Sequence, residues 1–126
     1  MPKSSYCLVY CPCPDKAEAI KISDALLALK LVACANVTSG VQSRYWWKGK
    51  IETASESVIL LKTRSDLFPE LKKTIEKLHS YSTPAILKLS IESANAPFLK
   101  WIDDSVEKSS QEIKKLRSLA GSKKIN

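Results

Sequence analysis

Histidine, glycine and methionine are scarce in this chain of 126 residues, which has one His, three Gly and one Met. A single histidine, His79, excludes every multi-histidine metal centre and leaves a cysteine–histidine pairing as the one histidine-based nucleophile. No Gly-rich phosphate loop, H-E-x-x-H helix or EF-hand loop is present. With only six prolines as well, little of the chain is linker-like, and order is expected nearly throughout. Long apolar runs are also missing. The longest, residues 25–35, is broken by Lys30 and falls short of the roughly 20 residues that a membrane-spanning helix needs. The apolar patch after Met1-Pro2-Lys3-Ser4-Ser5 is too short for a signal-peptide core, so a cytoplasmic protein with no membrane partner is expected.

The chain is long enough for one domain with its own hydrophobic core. One domain over residues 1–126 is expected, with an ordered core of about 5–108 and a basic extension of about 109–126. The net charge of +7 sits mostly at the end. From Lys108 onward six basic residues face Glu112 alone, which leaves +2 for the first 107 residues. That near-neutral body argues against nucleic acid as a partner. Three of the four cysteines, Cys7, Cys11 and Cys13, crowd into seven residues, which suits free thiols or a soft metal better than a disulfide framework.

Alternation predicts a first strand over residues 6–11, apolar on both faces and ended by Pro12 and Pro14. Asp15 is placed to cap a helix whose buried stripe is Ala19, Ile22, Leu26 and Leu29, ending near Leu31. An extended segment over 32–48, a turn at Lys48-Gly49-Lys50 and a strand over 51–63 form a long hairpin. Ser65 or Asp66 then caps a second helix carrying Phe68, Leu71, Ile75 and Leu78, with Pro69 in its first turn and its end near His79. A fourth strand is expected over 85–92, and a third helix opens at Asn95 and Pro97, with a further amphipathic turn at Ile113, Leu116 and Leu119. The order β-α-β-β-α-β gives an α+β, ferredoxin-like sandwich with a long central hairpin and an added C-terminal helix. Val58, Ile59, Leu60 and Leu61 are apolar in succession, so both faces of that strand need cover, and one helical layer supplies only one. Self-association is the expected remedy.

Three groups of residues could carry chemistry. Tyr45, Trp46 and Trp47 lie among Arg44 and Lys48, a pattern that can stack on single-stranded bases, but the neutral body favours packing at a subunit interface. Lys62, Thr63 and Arg64 precede a helix start and could hold an anion, or simply form a solvated strand end. Cys11 and Cys13 fall on one side of a strand about 6.7 Å apart, whereas two sulfurs on one metal sit near 4 Å, so the strand would have to bend at Pro12. For Cys7 and Cys34, buried structural thiols are the plainer reading.

Three runs in order, Leu31-Val32-Ala33-Cys34-Ala35-Asn36, Tyr45-Trp46-Trp47-Lys48-Gly49-Lys50 and Leu61-Lys62-Thr63-Arg64, resemble the CutA divalent-cation tolerance proteins. The resemblance extends from Cys11 and Pro14-Asp15 through His79-Ser80-Tyr81 and Pro84 to Phe98-Leu99-Lys100-Trp101-Ile102. It implies a homotrimer whose hairpins extend edge strands across neighbours, and binding of copper or other divalent cations, with Cys11 and His79 at the positions of family ligands. The family usually reads His-Pro-Tyr with a carboxylate after the later proline, where this chain has Ser80 and Ala85. Cys13 is the candidate third ligand, and a thiolate–imidazole set favours copper over hard cations.

The reading is therefore a non-enzymatic, metal-binding cytoplasmic trimer that contributes to metal-ion tolerance, with Cys11, His79 and Cys13 as metal ligands. The alternative is a trimeric regulator, similar in fold to the nitrogen-regulatory PII proteins. It would bind a small anionic ligand or protein partner in an intersubunit cleft near Trp47, Lys62, Arg64 and Tyr81.

Overall fold

The computed structural model describes residues 5–107. The basic extension and the amphipathic turn at Ile113, Leu116 and Leu119 lie outside the described residues. In chain order the elements are β1 (Tyr6–Cys13), α1 (Lys16–Ala28), β2 (Cys34–Trp47), β3 (Lys50–Arg64), a short 3-10 turn (Ser65–Leu67), α2 (Phe68–Leu78), β4 (Leu87–Ser90) and α3 (Ala96–Ser105). The four strands form one antiparallel sheet in the order β2-β3-β1-β4, the expected ferredoxin-like arrangement.

Strand period places Cys7, Val9, Cys11 and Cys13 of β1 beside Thr63, Leu61, Ile59 and Ser57 of β3 on one face, and all eight are buried. With Ala19, Ile22 and Leu26 of α1 and Leu71 and Ile75 of α2, most of them form the core. Each large apolar side chain there contributes about 1.5–3 kcal/mol by leaving water. The two hydroxyls in this layer are both paired: Thr63 Oγ1 donates to the carbonyl of Leu31 at 2.7 Å and Ser57 Oγ bonds with Ser39 Oγ at 3.2 Å, which offsets the penalty of burying them.

Helix α1 starts as expected, with Asp15 Oδ1 accepting the Glu18 N–H at 2.8 Å. It ends at Ala28, three residues earlier than the stripe predicts, and Leu29 is left exposed. The stop is a Schellman motif: Lys30 N–H bonds to Leu27 O and Leu31 N–H to Leu26 O, both at 3.0 Å, with Lys30 at a φ of 57°. Leu26 and Leu31, both fully buried, supply the apolar contact that accompanies such a cap.

Three further expectations are corrected. Pro12 does not end β1; it pairs with Val58, and the ladder runs on to Cys13 opposite Ser57. The Pro12 carbonyl bonds to His79, so its backbone edge points away from β3, and the missing N–H removes no ladder bond. Neither Ser65 nor Asp66 caps α2. A 3-10 turn intervenes and Asp66 instead forks onto Arg64, with Nε–Oδ1 at 2.8 Å and Nη2–Oδ2 at 3.2 Å. Strand β4 is four residues long rather than eight.

β2 and β3 reach well past the rest of the sheet. Beyond Ser57, β3 pairs only with β2, and the ribbon closes on Lys48 and Gly49 at φ values of 49° and 78°, both left-handed as a type I′ turn requires. Gly40, at φ 74°, lies within the register shift between Thr38 and Val41. The sheet face opposite α1 and α2 is covered in part by α3. Asp103 accepts from Tyr6 Oη at 2.7 Å, and the Arg64 guanidinium donates to Glu107 O at 2.6 Å. Among the described residues the rest of that face stays open. Leu87 and Leu89, which pair with Tyr10 and Leu8, are 53% and 48% exposed.

Candidate metal centre and the cleft beside it

Cys11 and Cys13 share the helix-covered face of β1, and both are fully buried. His79 caps the C-terminus of α2, its N–H bonded to Ile75 O at 2.8 Å, and extended backbone there turns the ring inward. The ligand atoms of Cys11, Cys13 and His79 all lie within 4.8 Å of one another. The two thiols converge while β1 remains paired, so the bend expected at Pro12 is not required: side-chain direction closes the gap that backbone spacing leaves.

The imidazole is held on both sides. Nε2 lies 2.8 Å from Pro12 O, where only a donor fits, and Nδ1 accepts the Tyr81 N–H at 3.1 Å. These bonds assign the neutral ring with its proton on Nε2. Glu18 Oε2 stands 3.4 Å from Nδ1 and accepts both the N–H and the hydroxyl of Ser80 at 3.0 Å. Serine at position 80 thus brings two donors to one carboxylate oxygen. The thiols are unequal. A hydrogen bond from Cys13 holds Cys11 below the ordinary thiol range, and the same interaction together with burial pushes Cys13 far up.

Beside this cluster lies a cleft of about 510 Å³ lined by Pro12, Ser43, Tyr45, Trp47, Glu56 and Tyr81 among others. Along β2 the residues Ser43, Tyr45 and Trp47 share one face by strand period, and Glu56 stands opposite Val41 in the same row. Tyr81 Oη donates to Glu56 Oε2 at 2.7 Å, and burial followed by this bond pushes the phenol well above its ordinary value. Its ring packs at 4.8 Å from the His79 ring, so Tyr81 joins the cleft to the thiol–imidazole cluster. Ala85 also lines the cleft and offers no ligand atom.

Of the residues singled out in the sequence, the structure brings Cys11, Cys13 and His79 together, and Trp47 with Tyr81. It does not bring Lys62 and Arg64 to Trp47 within one chain. They lie at opposite ends of β3, since Trp47 pairs with Lys50 and Cys34 with Lys62. Arg64 is engaged by Asp66 and Asp103, and Lys62 Nζ sits 5.8 Å from the centroid of the Phe98 ring. Sequence reasoning missed Glu56 and Glu18. Glu18 stands three residues after a capping aspartate, a local signal, but nothing in the sequence connects Glu56 to Tyr81 across 25 positions.

Comparison with known proteins agrees with this architecture. The family described as CutA1 divalent ion tolerance protein matches residues 7–105. The divalent-cation tolerance protein CutA of Archaeoglobus fulgidus is 42% identical over 99 residues, covering 79% of this chain and 96% of the relative. Human protein CutA is 36% identical over 101 residues, 80% of this chain and 56% of that protein. Among solved structures, CutA1 from Oryza sativa superposes with a TM-score of 0.82 at 31% identity, covering 85% of this chain and 98% of that one. A match of this extent, in sequence and in fold together, places the chain in the CutA1 divalent ion tolerance family.

Proposed function

We propose that this member of the divalent-cation tolerance family is a cytoplasmic homotrimer that binds copper, or another soft cation, at Cys11, Cys13 and His79 and so contributes to metal-ion tolerance. The observation that carries the reading is the approach of two thiols and one imidazole to within 4.8 Å in a fully buried pocket. Two sulfurs and a nitrogen suit a soft cation that accepts low coordination number, and Cys13 supplies a donor that Ala85 cannot. Occupancy by a cation requires His79 to give up either the Pro12 or the Tyr81 hydrogen bond. Four free thiols support a reducing compartment. Among the described residues no helix is long and apolar enough to cross a membrane.

The trimer reading rests on the open apolar row at Leu87 and Leu89 and on a two-stranded ribbon that is marginal in water on its own. A binding role is favoured over catalysis because both ring nitrogens of His79 are engaged by backbone groups, so neither is poised as a base for Cys11. The test is a Cu(I) titration of the reduced protein: stoichiometric binding lost on replacing Cys11 supports the reading, and undiminished binding in that variant refutes it.

A further inference from the structure

Helix α1 carries apolar side chains on its outer side. Ile20 and Leu27 are both 40% exposed, and Asp24, also exposed, lies between them on the same helix face. Among the described residues, Leu29 follows at the end of this helix, and the other exposed large apolar side chains lie on the hairpin, β4 and α3 or at Tyr81. Helix α1 stands on the sheet face opposite α3 and the open row at Leu87 and Leu89. Self-association through that row therefore takes place on the other side of the sheet.

The chain comes round to α1 at the last described residue. Val106 is buried in the same core as Ile22 and Leu26, Glu107 N–H donates to Lys30 O at 3.0 Å, and Glu107 O accepts from Arg64 at 2.6 Å. Residue 108 therefore leaves beside the C-terminal end of α1. The sequence that follows has helix signals at both ends: Ser109-Ser110-Gln111-Glu112 is a capping-box pattern, and Gly121 is a stop signal. Between them Ile113, Leu116 and Ala120 recur at i, i+3 and i+7, the spacing of one apolar stripe. A helix this short is marginal in water unless its apolar face is packed.

From the exit point and the two matching stripes we infer that residues 110–120 form a helix that docks antiparallel on the outer face of α1 in the same subunit. Ile113 and Ala120 stand seven residues apart, as Leu27 and Ile20 do, about 10.5 Å along a helix. Antiparallel pairing sets Ile113 against Leu27 and Ala120 against Ile20. Arg117, four residues after Ile113, then falls opposite Asp24, so the one acidic side chain between Ile20 and Leu27 meets a guanidinium. The connection from Glu107 to Ser110 spans at most about 10 Å, which brings the start of the segment to the end of its own α1. Helix α2 is the poorer surface: it exposes Lys72, Lys73, Glu76 and Lys77 and no large apolar side chain. The inference does not depend on copper at Cys11, Cys13 and His79.

The experiment is hydrogen–deuterium exchange of the reduced full-length protein, read by mass spectrometry over residues 113–120. Docking is expected to slow exchange there at least about tenfold relative to an unstructured chain. Replacing Ile113 and Leu116 together by Asp is expected to abolish that protection. Ile20→Ser combined with Leu27→Ser, on the other partner, is expected to abolish it equally and to leave the oligomer unchanged. Should the α1 double variant fold poorly by circular dichroism, Asp24→Lys at an exposed position serves instead and is expected to reduce the protection at least about threefold at low salt. Exchange of residues 113–120 at the unstructured rate in the wild type would overturn the inference. So would protection that survives both the α1 double variant and Asp24→Lys, since the segment would then be held by another surface.

Discussion

His79 Nε2 lies 2.8 Å from the carbonyl oxygen of Pro12, the residue between the two thiols that share its pocket. One backbone group therefore fixes the tautomer of the ring that shares a pocket with both thiols. A cation that takes an imidazole nitrogen displaces this bond or the one from Tyr81. Cu(I) binding is expected to perturb the near-ultraviolet circular dichroism of Tyr81, whose ring packs on His79, and Tyr81→Phe is expected to retain binding. Cys13→Ser is expected to weaken Cu(I) by at least about tenfold, or about 1.4 kcal/mol, without changing the oligomer. Competition with a Cu(I) chelator measures this, and a Cys13→Ser variant of unaltered affinity would move the third ligand elsewhere.

At micromolar concentration the protein is expected to run as a trimer. Replacing Leu87 and Leu89 together by Glu puts two charges into the open apolar row of β4 and is expected to shift the species toward a monomer of 14.0 kDa. Multi-angle light scattering decides between the two; a wild-type protein that is monodisperse at the monomer mass ends the trimer reading.

Two left-handed positions make opposite predictions. Lys30 closes α1 at a φ of 57°, where a side chain is strained, so Lys30→Gly is expected to stabilise by about 1 kcal/mol. Gly40 has nothing within 4 Å of where a Cβ would sit, yet its φ of 74° makes Gly40→Ala destabilising by about 1–2 kcal/mol. Thermal melts of both variants check the pair, and a neutral Gly40→Ala would show that the bulge relaxes.

Tyr6 donates to Asp103 at 2.7 Å, and that bond is the main cause that raises its phenol pKa above the ordinary value of about 10. A folded-state value above the unfolded one gives a contribution that is complete below pH 10 and is lost as pH rises through the folded value. The melting temperature of Tyr6→Phe is thus expected to lie below that of the wild type at pH 8, with the gap closing above pH 10. A gap that stays constant to the highest pH would show that the phenol proton plays no part in holding α3 to β1.

Much of the fold was legible because local physics carried it. Period-two and helical stripes marked β1, the hairpin, α1 and α2, and Asp15 capped as its chemistry suggests. The misses share one cause. The sequence shows that Pro12 has no N–H, but only the sheet shows that its edge faces His79 rather than β3. It shows an acidic Asp66 before a helix, but not that Arg64 would claim it.

The site divides along the same line. The resemblance to the CutA family named Cys11 and His79, and residue chemistry added Cys13 as the neighbouring soft donor. That the two thiols converge without a bend, that His79 enters as a neutral ring, and that Glu56 meets Tyr81 in an aromatic cleft were decided by tertiary structure. The reason is physical: side-chain type is local, but distance, tautomer and local charge depend on which strand, loop and carbonyl the fold brings alongside.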